Sequence, residues 1–282
     1  MKSRELKILF VKFLPVKVSK YFQLAKITFE EYFVYRLNFF LWRFRSFILF
    51  LSLFFFWLAI YGQENNFLGY QKAQMLTYVV GIAFLRSLVL GTRTGDLAGQ
   101  IRSGELTKLI LKPLGVFSFC FVRDLADKFL NLFFVIFEVG LILLIFKFPF
   151  YLPKNPATYF FFVVLVTLAF FLYFLINLIL SALAFWTEEI WATQWLFGVI
   201  FLQFFAGAFF PIDVLPAWLS RIIYLTPFPY LIFFPLKIWL EQLSAAMAVK
   251  AIFIGAFWLI FFYWLVSFLW QKGVKNYGAY GG

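Results

Sequence analysis

The stretch from Thr158 to Trp186 reads TYFFFVVLVTLAFFLYFLINLILSALAFW and holds no charged side chain. A helix needs about twenty mostly apolar residues to cross the hydrocarbon core of a bilayer. This run exceeds that length, so it can cross with a tilt. By the same measure the chain carries about six spans. They lie near Phe44–Tyr61, Ala73–Leu90, Lys128–Phe148, Thr158–Trp186, Ile190–Phe209 and Val249–Trp270. The expected class is an all-α integral membrane protein, and the even spread of the runs gives one domain over residues 1–282. Within it, residues 1–43 form an arm, 44–270 the transmembrane region and 271–282 a tail.

Composition agrees. Apolar residues make up 64% and charged residues 13% of the chain, and the mean hydropathy is +0.91. A soluble domain could not cover its surface with what remains. The formal charge of +12 would suggest nucleic acid in a soluble protein. Here most Lys and Arg fall in the arm, in the stretch that runs on to Lys128, and in the tail with Lys272 and Lys275. The other side holds only Lys72, Lys147, Lys154, Arg221, Lys237 and Lys250. The positive-inside rule then places both termini in the cytoplasm, and nucleic acid is not an expected partner.

Cys120 is the only cysteine, so an internal disulfide and a cysteine metal cluster are excluded. There is no histidine, which removes the commonest general base and metal ligand together with the Ser-His-Asp arrangement. No cleavable signal peptide is expected, because lysines interrupt every apolar stretch of the first twenty or so residues.

One long polar passage lies between two spans: GTRTGDLAGQIRSGELTKLILKP, Gly91 to Pro113. Asp96 is expected to cap a short helix carrying Leu97 and Ile101, and Gly104 to end it with positive φ. A second helix then runs from Glu105 to Pro113, which stops it. Leu106, Leu109 and Ile110 share one face of that helix, and Glu105 can pair with Lys108. The product is a bent two-helix knob with an apolar ridge, placed in the cytoplasm. Upstream, Val18–Arg43 is too charged to cross and is expected to lie along the membrane surface. Phe22, Phe29, Phe33, Leu37 and Phe40 form its apolar face, Leu24 and Ile27 fall outside that face, and Lys26 snorkels.

The segment Pro211–Leu240 is apolar but broken by Pro211, Pro216, Pro227, Pro229 and Pro235. Asp213 is expected to cap a helix of about a dozen residues ending before Pro227, and a second short helix to run from Tyr230 towards Glu241. Neither could span, so a re-entrant hairpin dipping in from the outer face is expected. Glu138 falls within a span, where an ionised carboxylate needs a partner or water. Arg86, Asn177 and Gln203 are the expected partners, and contact with a cationic substrate is the functional alternative. Arg86 itself lies nearer the cytoplasmic end and can snorkel.

The pieces IRSGELTKLILKPL (Ile101–Leu114), FFAGAFFPIDVLPAWLSRIIYLTPFPYLIFFPLKIWL (Phe204–Leu240) and KGVKNYGAYGG (Lys272–Gly282) resemble the permease subunits of ATP-binding-cassette transporters of the type-2 exporter class, in particular the viologen-exporter-like subgroup. The resemblance covers nearly the whole chain. It implies an ATP-driven exporter of a hydrophobic or amphipathic substrate, with the knob, from Asp96 through Ile101, Arg102, Gly104 and Glu105 to Pro113, as the coupling helix. No Walker A sequence is present, so this chain is expected to bind no cofactor. The ATP and Mg²⁺ then belong to a separate ATPase subunit. A second permease copy or a related permease is implied, with membrane lipid around it in the cell inner membrane. Two other readings differ in class. A lipid-modifying enzyme would need clustered acidic residues, and Asp124 and Asp127 come nearest, although they read more simply as helix-start charges of the third span. A channel or scaffold would explain the spans but neither the knob nor the proline-rich hairpin.

Overall fold

The computed structural model describes residues 18–277 apart from 63, 113 and 188. The expected start of the arm, the end of the tail and the helix-ending Pro113 lie outside the described residues. Helix α1 (Val18–Val34) leads through Tyr35 into α2 (Arg36–Tyr61). A small hairpin of β1 (Asn66–Phe67) and β2 (Tyr70–Gln71) follows, pairing Asn66 with Gln71 and Phe67 with Tyr70. Its turn residues Leu68 and Gly69 both have positive φ, as a tight turn matched to strand twist requires. Next come α3 (Lys72–Leu85), continued as a π-helical turn Arg86–Leu90, then α4 (Asp96–Arg102) and α5 (Leu106–Ile110). The long helices α6 (Val116–Phe146) and α7 (Pro156–Ala182, prolonged to Phe185) follow. The chain then forms α8 (Ile190–Trp195), a π-helical stretch Leu196–Phe201 and α9 (Leu202–Phe205). It ends with α10 (Ala217–Tyr224), α11 (Phe233–Trp239) and α12 (Ala245–Asn276).

Among the described residues five helices are long and apolar enough to cross a membrane: Arg36–Tyr61, Lys72–Leu90, Val116–Phe146, Pro156–Phe185 and Ala245–Asn276. The expected sixth, near Ile190–Phe209, is shorter. It stops at Phe205 because Gly207 turns with φ +81, where a side chain would also meet the Tyr78 hydroxyl. Two other boundaries move. The arm helix ends at Val34, not Arg43, and Arg36–Tyr61 is continuous because the buried Arg43 finds a half-buried carboxylate partner in Glu138. The third long helix begins at Val116, twelve residues or so before Lys128, because its first turns are buried in protein.

Helix starts follow local chemistry. The Asn155 side chain accepts from Ala157 N at 3.0 Å ahead of α7, with Pro156 opening the helix, and the Ser244 hydroxyl accepts from Met247 N at 3.3 Å ahead of α12. At one pole of the molecule lie α4, α5, the α7–α8 junction and the end of α12, where Phe185 meets Trp270 and Tyr277 edge to face. The β-hairpin, the 147–155 loop and the connection from α11 to α12 form the other. Glu241, in that connection, accepts from Tyr151 Oη at 2.7 Å, Asn155 N at 2.7 Å and Lys154 N at 3.1 Å.

The proline-rich segment comes off this second pole and reaches into the bundle. Trp258, roughly 20 Å along α12 at 1.5 Å per residue, donates to Leu225 O at 3.1 Å. Pro211 and Pro216 flank a 3₁₀ turn, Ile212–Val214, and Pro227 and Pro229 bracket the start of another, Phe228–Tyr230. Pro235 sits in the first turn of α11, where its missing N–H costs little. Asp213 caps no helix. Its carboxylate accepts from Lys237 Nζ at 2.7 Å and Tyr70 Oη at 2.8 Å, which ties α11 to the β-hairpin. Burial, with the Asp213 charge adding to it, pushes the Tyr70 phenol far up, so it stays a donor.

Candidate functional site

The passage between α3 and α6 folds as the expected bent pair of short helices, hinged at Gly104 with φ +80. Asp96 does not cap α4. Gly95 holds that position without a side-chain bond, and Asp96 opens the first turn, 3.9 Å from Arg123 Nη2. A negative charge there suits the helix N-terminus. Glu105 and Lys108 pair at 3.0 Å on the exposed side, as expected.

The apolar ridge points the other way from its expected role. Leu106 and Leu109 are buried, Leu109 at 4% exposure, against Leu97, Ile101, Val116 and Phe119 in the protein's own core. Ile110 is half-buried beside them. The ridge holds the knob onto α6 and α7 and is not free for another chain. The exposed side carries Arg102, Ser103, Glu105, Thr107, Lys108 and Lys112, with Leu111 at 80% exposure as its apolar point.

Below the knob lies a polar socket. Asp124 is fully buried in the third turn of α6, and its carboxylate accepts from Thr92 Oγ1 at 2.7 Å, Arg93 N at 2.7 Å and Thr94 N at 3.1 Å. One turn on, the buried Lys128 donates to Val89 O at 3.0 Å and also to Gly91 O. Together they grip both ends of the α3–α4 junction. Asp127 accepts from Asn131 Nδ2 at 3.0 Å and from the Tyr32 hydroxyl, which in turn accepts from Arg93 Nε at 3.0 Å. Glu31 of α1 bridges Arg93 and Arg123, the latter at 2.8 Å. On the far side Ser181 of α7 donates to Thr94 O at 3.0 Å.

The reading of Asp124 and Asp127 as helix-start charges is therefore corrected: they lie well inside α6 and fasten the knob. The spacing Asp124, Asp127, Lys128, Asn131 puts four polar groups on one face of an apolar helix. That spacing was the signal available for them. Glu31, Tyr32, Arg93, Arg123 and Ser181 had none, since their meeting depends on how α1 and α7 pack.

Glu138 is also placed differently. Its partner is Arg43 of α2, whose Nε donates to Oε1 at 3.2 Å, with Asn131 Oδ1 3.3 Å from Arg43 Nη1. Arg86 instead donates from Nη2 to Ala208 O at 3.4 Å and Asn177 Nδ2 to Tyr173 O of its own helix at 2.9 Å, while the backbone carbonyl of Gln203 accepts Ala208 N at 3.0 Å. The expected face of α1 is split by the kink at Tyr35. Phe29 meets Phe129 edge to face, while Phe22 and Phe33 are exposed and Leu24 turns inward beside the knob core.

Among the described residues no three His, Cys, Asp or Glu side chains are grouped to hold a metal ion. No curated protein matches the chain. A family model described as ABC-2 family transporter protein matches residues 47–281.

Proposed function

The chain belongs to the ABC-2 family of transporter proteins, and from that premise we propose that it is the membrane half of an exporter driven by a separate ATPase subunit. As a transport subunit of this family it is a multi-pass membrane protein without a catalytic domain. The family implies an ATPase partner. Nucleotide and Mg²⁺ then belong to that partner. In this reading the knob is the coupling element, a second permease copy or related chain completes the path, and the cargo is hydrophobic or amphipathic. The end carrying the knob faces the cytoplasm with both termini, because the basic residues concentrate there, and the chain sits in the cell inner membrane. The proline-rich segment is then re-entrant from outside.

What carries the reading is the knob's construction. A lever must be stiff at its root and free at its tip. Here the root is held by Asp124 and Lys128, and the tip offers Arg102, Glu105, Lys108 and Leu111 to a partner. The acid that an enzyme reading would need is already occupied, since the Asp124 carboxylate accepts three donors from the knob root.

Co-expression with the ATPase subunit and recovery on a tagged permease tests this. Leu111→Asp should insert and purify as the parent does but recover much less ATPase, by roughly tenfold for an apolar anchor at an interface centre. Leu109→Asp should instead destabilise the permease itself, by about 2–5 kcal/mol for a charge in a packed core. If Leu111→Asp, Arg102→Glu and Lys108→Glu all recovered the ATPase like the parent, the knob would not be the contact.

A further inference from the structure

An arginine within a membrane span needs a carboxylate or a set of carbonyls turned towards it. Arg43 has both. Arg86 has neither in full: it opens the π-helical turn of α3, makes one long hydrogen bond to Ala208 O at 3.4 Å and stands 5.5 Å from the centre of the Phe209 ring. Its Nε is buried without a partner. Arg43 Nη1 lies 3.5 Å from Ser87 Oγ, so α2 runs beside this turn and brings a second cation to it, Arg45, which is exposed and forms no ion pair among the described residues. Arg45 in turn lies 5.4 Å from the Trp42 ring.

A π-helical turn inside an α-helix is a frequent mark of a functional position. The acidic group nearest in kind, Glu138, is already neutralised by Arg43. Exposed Phe209 and Trp42 flank the two charges with apolar surface.

We propose that Arg86 and Arg45 bind the phosphate or carboxylate group of an anionic amphipath lying within the membrane, its tail against Trp42 and Phe209. Guanidinium groups match such oxyanions with paired hydrogen bonds, and the flanking rings accept a hydrocarbon chain. Taken with the exporter reading on which its role as cargo rests, this makes the cargo class anionic rather than cationic. A resident anionic lipid offers the same chemistry.

The test uses the full-length permease in a neutral maltoside detergent, with dodecyl phosphate as probe and dodecyltrimethylammonium as its cationic counterpart. Dodecyl phosphate should bind the parent, and Arg86→Gln should weaken it by roughly tenfold or more, the loss of a charged hydrogen-bonding partner. Arg86→Lys should keep part of the binding. The melting temperatures give a second readout. Without probe, Arg86→Gln should melt at or above the parent, because an unpaired charge has been removed; with probe it should melt below. A purely structural arginine would lower both. Phosphate extracted with the purified parent but not with Arg86→Gln marks a resident lipid, and binding of added probe to lipid-free parent marks a cargo site; either supports the proposal. No binding to lipid-free parent together with no phosphate extracted from the purified parent, equal binding to Arg86→Gln, or preference for the cationic probe would overturn it. Because binding is read on the permease alone, its failure leaves the ATPase-coupling reading untouched, and a failed ATPase pull-down leaves this result standing.

Discussion

Asp124→Asn is the substitution that most directly probes how the knob is held. The parent carboxylate satisfies a hydroxyl and two backbone N–H groups in a fully buried site. An amide offers one acceptor oxygen, and its NH₂ would face groups that are themselves donors. At least one donor is then left without a partner, at a cost of about 1–3 kcal/mol. The bonds that survive lose their charge assistance, which is about half their strength. A destabilisation of about 2–4 kcal/mol follows. For a chain of this size that is a fall of roughly 4–8 °C in melting temperature. Cys120 supplies the assay: it is the lone cysteine, buried one turn before Asp124 in the same knob core, so a thiol-reactive dye reports the opening of this region. Glu105→Gln is the control, since its pair with Lys108 is exposed and worth about 0.5 kcal/mol or less. If Cys120 became reactive at the parent's temperature in Asp124→Asn, or if Glu105→Gln shifted it equally, the socket would not be what fastens the knob.

Glu138→Leu strands Arg43 in a buried position and should cost about 3 kcal/mol, the low end for a broken buried pair because Asn131 still accepts from it. The double change Arg43→Met with Glu138→Leu should melt above the single one, and a double variant no more stable than the single would show that the pair is not the issue. Glu241 gives a pH signature. Its carboxyl is held down to about 2, first by the Asn155 N–H, then by the Tyr151 hydroxyl and the Lys154 N–H. A depressed folded value means that the stabilisation is present above the unfolded value of about 4.3 and is lost as pH falls towards 2. Melting curves of the parent should drop through that window, and those of Glu241→Gln should start lower and vary less; parallel curves would contradict the assignment.

The long apolar runs and the knob's glycine hinge were legible in the sequence because each depends on neighbours within one or two turns. Run length picked out the five helices that are long and apolar enough to cross a membrane. Gly104 was recognisable since few other residues tolerate its φ. The failures share a cause of a different kind. Leu106 and Leu109 look the same whether a helix face meets its own core or another protein, and only the packing of α5 on α6 decides between them. Arg43 counted as a reason to end the arm, whereas its partner, ninety-five positions along the chain, is what lets the helix run on. Asp213 has the residue type of a cap, yet Lys237 and Tyr70 converge on it from separate elements. Charges in an apolar chain invite local explanations; here their partners were distant.

The bonds at the knob root are unequal, and that inequality sets the direction in which a displacement would travel. Towards α6 the junction is held by a carboxylate with three donors and by an ammonium with two carbonyls; towards α7, apolar packing on Phe174 and Leu178 aside, its side-chain hydrogen bond is a neutral one, Ser181 Oγ to Thr94 O. Ionised partners make bonds about twice as strong as neutral ones. A push on the exposed face around Leu111 would therefore carry α6 with it and slip first against α7. Glu31, bound to both Arg93 and Arg123, ties α1 to the same moving part. The π-helical turn Arg86–Leu90 lies directly above this junction and is the least regular stretch of α3. Movement of the knob relative to the bundle would concentrate there, which places Arg86, and any anion it holds, at the hinge between the proposed lever and the long apolar helices.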